Sequence, residues 1–357
     1  MEIESCPHCG VPKQVVEEHL WLDSSVIVLK RDQSLRMAFI ECENLDPLFK
    51  GIEGLVGVPI EHIIIDAERK GCRDYFYPFI PNEIRDMLRR REITLDPLLD
   101  AMIVSGILNG VGKYEVVEYR NEMDESNYVT VRITNPHSLP IACGDLAGTS
   151  EAVSEVEHGK TSYREVSPGV YEVHAAASGI AEPLKGRLER KQYHLREGHI
   201  KLERCPSCGG PIALSNFKWH SDRGVIVNAL NGKRISIVHP SVLDPVFDEL
   251  EQELGEEIPR VVVEAQRRFV KTGFYSPEEI RDEERFRTQL ALRGMGGLTE
   301  MSMDSSGLHL KLENACLHLM MVGMAQGIFE MAYGVESEVN WKLSEEGDLE
   351  VEVRPTT

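Results

Sequence analysis

The sequence has no surplus of positive charge, no long apolar run and no secretion signal, and each absence excludes a class of protein. Lysine and arginine number 39 against 59 aspartates and glutamates, which gives a formal net charge of −20. Such a chain repels nucleic-acid phosphates and anionic lipid, so no nucleic-acid partner is expected. Because no stretch of about 18 apolar residues occurs, no membrane span is predicted. With no signal peptide, the expected location is the reducing cytoplasm.

The common catalytic motifs are also missing. The GxG turns at 110–112 and 294–296 do not lie between a strand and a helix in a GxGxxG pattern, so a dinucleotide site is not expected. No P-loop, Ser-His-Asp arrangement or paired catalytic carboxylate stands out, and the 12 histidines are scattered. The sequence therefore leans against an enzyme.

The sequence does contain an internal repeat. "DSSVIV" (23–28) matches "DRGVIV" (222–227), an offset of 199 (222 − 23), and "GDLAGTSEA" (144–152) matches "GMAQGIFEM" (323–331), an offset of 179 (323 − 144). Further matched segments lie between these two along the chain. They keep the same order, and their offset decreases stepwise, as deletions in loops of the second repeat would produce. We predict an internal duplication, with a first repeat at 1–178, a charged linker at 179–203 and a second repeat at 204–357.

Each repeat begins with a cysteine pair of the zinc-knuckle type. The pairs are Cys6 and Cys9 in "CPHCG", and Cys205 and Cys208 in "CPSCG". A tetrahedral structural zinc needs four thiolates, and each repeat supplies two. We predict one structural Zn²⁺ per chain, shared between the repeats, which would make the chain a pseudo-dimer. The alternatives are two half-sites that bind no metal, or a site completed across a homodimer.

The remainder of each repeat is predicted to be α+β, with helices beside an antiparallel sheet. Hairpins follow both cysteine pairs, and alternating runs such as "NYVTVRITN" and "LHLKLEN" predict further strands. Asp244 before Pro245 predicts a helix start. The stretch "LDPLLDAMIVSGILNG" predicts a helix that only the first repeat has.

One predicted helix in each repeat carries glycines and a glutamate on a single face. The residues are Gly144, Gly148 and Glu151 in the first repeat and Gly323, Gly327 and Glu330 in the second. Glycine inside a helix costs about 1 kcal/mol against alanine, so its recurrence needs a packing reason. The two helices could pack on each other, each could pack on its own sheet, or a ligand could occupy the space. Met320, Met321, Met324 and Met331 on the second helix form either adaptable core or a pocket wall.

These features together resemble the 4-vinyl reductase (hydrocarbon-binding) domain, at about 109–178 and 293–354. The resemblance rests on the GxG turn, the strand ending in Asn135 or Asn314, the GxxxGxxE helix and the final hairpin. It implies a sheet with helices on one side, a fold shared with haem-based nitric-oxide sensors, and the sensing of small apolar molecules. The family's cysteine pair in the last hairpin is absent here.

The function expected on these grounds is non-enzymatic binding of an apolar small molecule, or regulation through it. The alternatives are an enzyme or accessory factor of tetrapyrrole metabolism, or a protein–protein adaptor. An enzyme predicts a polar cluster in a cleft, a binding protein a mostly apolar pocket, and an adaptor an exposed apolar patch.

Overall fold

The computed structural model describes residues 3–122, 124, 126–177 and 195–356. The elements of the first half are α1 (Lys13–Glu18), β1 (His19–Trp21), β2 (Ile27–Leu29), β3 (Asp32–Glu41), α2 (Leu45–Val56), α3 (Glu61–Phe76), α4 (Asn82–Arg89), α5 (Asp96–Leu108), β4 (Lys113–Arg120), β5 (Tyr128–Thr134), α6 (Leu139–Ser154), β6 (Lys160–Ser167) and β7 (Val170–Ala176). Those of the second half are β8 (Phe217–His220), β9 (Val225–Asn228), β10 (Arg234–Val238), α7 (Pro240–Leu254), α8 (Ile258–Phe269), α9 (Glu278–Arg281), α10 (Glu283–Arg293), β11 (Gly297–Asp304), β12 (Gly307–Glu313), α11 (His318–Tyr333), β13 (Ser337–Leu343) and β14 (Leu349–Pro355).

The prediction of an α+β fold is confirmed. Each half has an antiparallel four-stranded sheet of the same order, β4-β5-β7-β6 in the first half and β11-β12-β14-β13 in the second. The pairing registers also match, since Lys113 lies opposite Thr134 and Gly297 lies opposite Glu313. A common origin of the halves stays a prediction from the collinear sequence matches.

A third sheet joins the two halves. Its order is β1-β2-β3-β10-β9-β8, so each half supplies three neighbouring strands. β3 and β10 pair antiparallel at its centre, where Phe39 lies opposite Ile237. Both residues are buried, at 0% and 1% exposure, which places the seam between the halves inside a shared apolar core.

Each half also supports the four-stranded module of the other half. The Trp21 indole donates a hydrogen bond to the backbone oxygen of Leu292 (2.9 Å), and Trp219 donates one to the backbone oxygen of Leu108 (2.9 Å). Arg36, on β3 of the first half, donates to the backbone oxygen of Gly294 (2.9 Å) in the second half. A buried indole N–H or guanidinium without a partner would be costly, so these crossed contacts fix how the halves fit together.

The structure corrects two local predictions. The helix of "LDPLLDAMIVSGILNG" is present as α5, but the second half has a counterpart in α10, so it is not an addition of the first half. α7 begins at Pro240 rather than at Asp244, and Pro245 lies inside it. None of the helices in the described part of the chain is both long enough and apolar enough to cross a membrane.

The predicted linker at 179–203 is described only from residue 195. Arg196 donates its backbone N–H to the Asn314 side chain (2.8 Å), and Ile200 donates its backbone N–H to the Asp23 carbonyl (3.0 Å). The rest of that predicted linker lies outside the described residues.

Candidate functional site

The four knuckle cysteines come together at one point between the halves. The sulfur of Cys6 lies 3.9 Å from that of Cys205, and the sulfur of Cys9 lies 3.6 Å from that of Cys208. All four sulfurs lie within 4.8 Å of one another. A tetrahedral site with zinc–sulfur bonds of about 2.3 Å has sulfur–sulfur distances of about 3.8 Å, so the cluster has the dimensions of a metal site with four thiolate ligands.

The same backbone turn presents each cysteine pair. The Gly10 N–H donates to the Cys6 carbonyl and the Gly209 N–H to the Cys205 carbonyl, each at 2.9 Å. Both glycines have a left-handed backbone (φ 76° and 75°), which glycine adopts without a steric cost. The CPxCG sequence therefore encodes a loop that places two sulfurs on the same side.

The two thiols of the first pair have opposite pKa shifts, with different causes. The backbone N–H of Cys9 is the largest cause lowering the pKa of Cys6, to about 6. Burial raises the pKa of the Cys9 thiol to about 12. A divalent cation would hold all four as thiolates, because its charge offsets the cost of gathering buried anions.

The glycine helices pack against another helix of their own half. A β-carbon on Gly144 would lie 2.5 Å from the Glu68 β-carbon, and one on Gly148 would lie 2.1 Å from the Arg69 carbonyl oxygen, both on α3. The contacts recur in the second half, where a β-carbon on Gly323 would lie 2.6 Å from that of Gln266. These glycines allow α3 and α6, and α8 and α11, to approach closely. They do not join the two repeats and do not face a sheet.

The glutamates on these faces are buried partners of basic side chains. Glu151 accepts from Arg69 (2.5 Å) and Glu330 accepts from Arg267 (2.6 Å). Each also caps the start of the following segment, since the backbone N–H of His158 donates to Glu151 (2.7 Å) and that of Ser337 donates to Glu330 (2.9 Å). In both halves the glutamate therefore connects two helices and the segment that follows them.

A cavity of about 490 Å³ lies in the first half, beside this helix pair. α3, α5, α6 and strands β4 and β5 enclose most of it, and β10 and α7 of the second half close one side. Its apolar lining includes Met37, Leu98, Met102, Ile103, Val129 and Val131. The exposed Glu17 and Arg31 also line it, so the cavity reaches the surface there. Its size is that of a site for a small organic ligand.

The cavity has one polar region, where α3 and α6 meet. Glu68 and Asp145 form a side-chain hydrogen bond there, and the Cys72 thiol lies 3.3 Å from the Thr149 hydroxyl. Burial raises the pKa of Asp145 to about 6 and that of Glu68 well above its ordinary value, with the neighbouring Asp145 charge adding to the rise for Glu68. Two carboxyl groups this close hold one proton between them, so the pair carries a single negative charge near neutral pH.

The second half fills the corresponding space with apolar side chains. Aligned on the glycine contacts, Asp145 corresponds to Met324 and Thr149 to Ile328. The remaining replacements are Gln266 for Glu68, Val270 for Cys72, Leu298 for Tyr114, Cys316 for His137, Leu308 for Val129 and Leu310 for Val131. Apart from Gln266, these side chains belong to or pack against an extensive apolar core cluster of the second half. The predicted role of the methionine helix as adaptable core fits this packing, and the cavity lies in the other half.

Three histidines around the cavity are held neutral by burial. Burial lowers the pKa of His137 to about 4 and that of His239 to about 3, and it also lowers the pKa of His19. The His239 ring lies 4.0 Å from the Tyr75 ring, between centroids. Near neutral pH these rings add polarity to the cavity wall but no positive charge.

His137 provides a prediction for the pH dependence of stability. Its pKa is lower in the folded chain than the unfolded value of about 6.5, so on acidification the unfolded state takes up the proton first and the free energy of unfolding falls. Between pH 6.5 and 5 this one group accounts for about 1.5 kcal/mol. His137→Gln should therefore flatten the stability–pH curve in this range, as measured by urea unfolding. Parallel curves for the two proteins would contradict a buried neutral His137.

The cavity and its carboxyl pair were not predicted from the sequence. The motifs that the repeats share do not include these residues, because the polar region consists of positions at which the repeats differ. The available signal was the alignment of Asp145 in the first repeat with Met324 in the second. A polar residue in one repeat at a position that is apolar core in the other indicates that the surroundings of that position have changed.

No protein-family model and no curated protein matches the chain. Part of it matches solved structures of H-NOX proteins. A variant of Cs H-NOX matches 35% of this chain and 78% of its own at 11% identity, with a TM-score of 0.26. The Fe(II) unliganded H-NOX protein from K. algicida matches 41% of this chain and 84% of its own at 11% identity, with a TM-score of 0.27. At such TM-scores the likeness carries no argument about this chain's ligand.

Proposed function

We propose that the protein binds a small, mostly apolar molecule in the cavity of its first half, as a non-enzymatic binding or regulatory protein. The observation that carries the proposal is the difference between the halves. The glycine-bearing helix packs closely on its partner helix in both halves. The first half nevertheless encloses an open apolar space with one polar region, whereas the second half fills the corresponding space with Met324, Ile328 and larger strand residues. An unfilled apolar interior would be costly, so the open space in the first half, at positions where the second half has packed core side chains, calls for a ligand.

The proposal includes a structural Zn²⁺ held by the four cysteines. Thiolate ligands in a closed tetrahedral set suit zinc in a structural rather than a catalytic role, because no ligand position is left for water or substrate. The resemblance of 109–178 and 293–354 to the 4-vinyl reductase domain belongs to the proposal as well, since such a domain would supply an interior site for an apolar molecule.

A probe-binding experiment tests this function. The fluorescent probe N-phenyl-1-naphthylamine should bind with one site per chain. Asp145→Met combined with Thr149→Ile introduces the side chains that the second half has at these positions, and should weaken binding about tenfold or more because the cavity is filled. The control is Met324→Leu, which alters the second half and should leave binding unchanged.

Two outcomes would contradict the proposal. Binding of two equivalents per chain would place a site in each half, and unchanged binding in the filled variant would place the site elsewhere. Thermal unfolding of all three proteins verifies that the substituted chains are folded.

A second function has one observation in its favour. A carboxyl pair with raised pKa values, in a cavity, is also an arrangement that general acid–base catalysis uses. Mass analysis of the bound molecule after prolonged incubation separates the two functions, because a binding protein returns its ligand unchanged and an enzyme converts it.

A further inference from the structure

The polar region of the cavity lacks a positive charge. The carboxyl groups of Glu68 and Asp145 hydrogen-bond to each other, and the Glu68 side chain is buried. Both residues line the cavity, but the Glu68 oxygen Oε2 has almost no accessible surface, whereas the Asp145 side chain is only partly buried. The accessible carboxyl group of Asp145 can therefore accept a hydrogen bond from a donor in the cavity.

Nearby basic groups do not neutralise the pair. Arg69 and Arg73 extend from the same helix, but both pair with Glu151 (2.5 Å and 3.5 Å), which lies one to two turns further along α6 than Asp145. Among the described residues, neither Glu68 nor Asp145 forms an ion pair with a lysine or arginine. Asp145 therefore presents the charge of the pair to whatever occupies the cavity.

We infer that the ligand carries one protonated nitrogen, as in an amine or amidine, and that Glu68 and Asp145 bind this group while the apolar wall holds the rest. The inference rests on the proposed function. An ammonium or amidinium donates to the accessible carboxyl group of Asp145 and compensates the charge that this group shares with Glu68, and hydrogen bonds between charged groups are stronger than neutral ones. The second half agrees with this chemistry, because Gln266 and Met324 at the matched positions leave no charge to neutralise.

Three probes with the same apolar chain test the head group: decylamine, decanol and decanoate. Each is titrated against a complex of the full-length protein with N-phenyl-1-naphthylamine, and displacement of the fluorescent probe is measured. Decylamine should bind at least about tenfold more tightly than decanol, and decanoate should bind most weakly.

Two variants locate the preference. Glu68→Gln combined with Asp145→Asn keeps the shape of the side chains and removes their charge, so decylamine and decanol should then bind within about twofold of each other. Glu17→Gln combined with Glu18→Gln removes acidic charge at the exposed mouth and should leave the preference intact. Unfolding midpoints of both variants establish that each is folded.

The outcomes separate the inference from the proposed function. If decanol or decanoate displaces the probe as well as decylamine does, the cavity binds apolar molecules but the amine inference is wrong. If the preference survives in the Glu68 and Asp145 variant, or is lost in the mouth variant, another group recognises the nitrogen and the inference is wrong. If none of the three probes displaces N-phenyl-1-naphthylamine, the amine inference is wrong, while the proposed function is still decided by the binding of N-phenyl-1-naphthylamine itself.

Discussion

Replacing Cys205 with serine is expected to release the metal and to destabilise the whole chain. The sulfur of Cys205 lies 3.9 Å from that of Cys6, so one substitution removes a ligand from a site that both halves build. Structural zinc sites contribute about 10 kcal/mol or more in small domains. Here the joined sheet also holds the halves together, so we expect a loss of about 5 kcal/mol. Native mass spectrometry should find one zinc in the wild-type monomer and none in the variant.

A different cysteine provides the matched control. Cys42 is as deeply buried as Cys205 but lies outside the cluster. Cys42→Ala should keep one zinc per chain and cost only about 1 kcal/mol, the scale of a small loss of core packing. Two zinc ions per monomer, or zinc only in a dimer of chains, would contradict a site shared between the halves of one chain.

Replacing Gly148 with alanine should destabilise the protein by about 3 kcal/mol. A β-carbon at this position would lie 2.1 Å from the Arg69 carbonyl oxygen and 2.8 Å from the Arg73 nitrogen, so the clash is with the backbone of α3 rather than with a flexible side chain. The gain in helix propensity of about 1 kcal/mol does not offset the separation of two packed helices. Because α3 and α6 carry Glu68 and Asp145, the same change should weaken ligand binding.

Gly54 is the control for this substitution. It lies in α2, and a β-carbon there would meet nothing within 4 Å. Gly54→Ala should therefore leave stability unchanged or raise it by up to about 1 kcal/mol. Chemical denaturation of both variants gives the comparison, and equal effects at the two positions would contradict the close approach of α3 and α6.

Sequence reasoning succeeded where the signal was local. The cysteine knuckles, the hairpins and the alternating strands depend on residues a few positions apart, and the structure shows each of these elements. It failed at the start of α7, because Asp244 and Pro245 fit a helix start but residues from Pro240 onward already form a helix. An Asp-Pro pair is tolerated near the beginning of a helix, where proline disrupts few hydrogen bonds.

Apart from the cysteine cluster, the contacts between the halves could not be predicted in the same way. Trp21 bonds to Leu292 and Trp219 to Leu108, so each hairpin supports the other half's module. When two repeats have the same sequence pattern, a contact within one repeat and the equivalent contact between the repeats involve the same types of residue. The sequence therefore does not distinguish the two arrangements. The cavity was missed for a related reason, since an interior space is set by side-chain volumes such as those of Val131 and Leu310, which both read as core.

Methionine methyl NMR during titration with N-phenyl-1-naphthylamine tests the central claim most directly, which is that the ligand occupies the first half alone. Met37 and Met102 line the cavity, and Met320 and Met324 lie in the filled interior of the second half. We predict that the Met37 and Met102 methyl signals shift with a one-to-one endpoint while those of Met320 and Met324 stay in place. Equal shifts in both sets, or shifts confined to Met320 and Met324, would contradict the account.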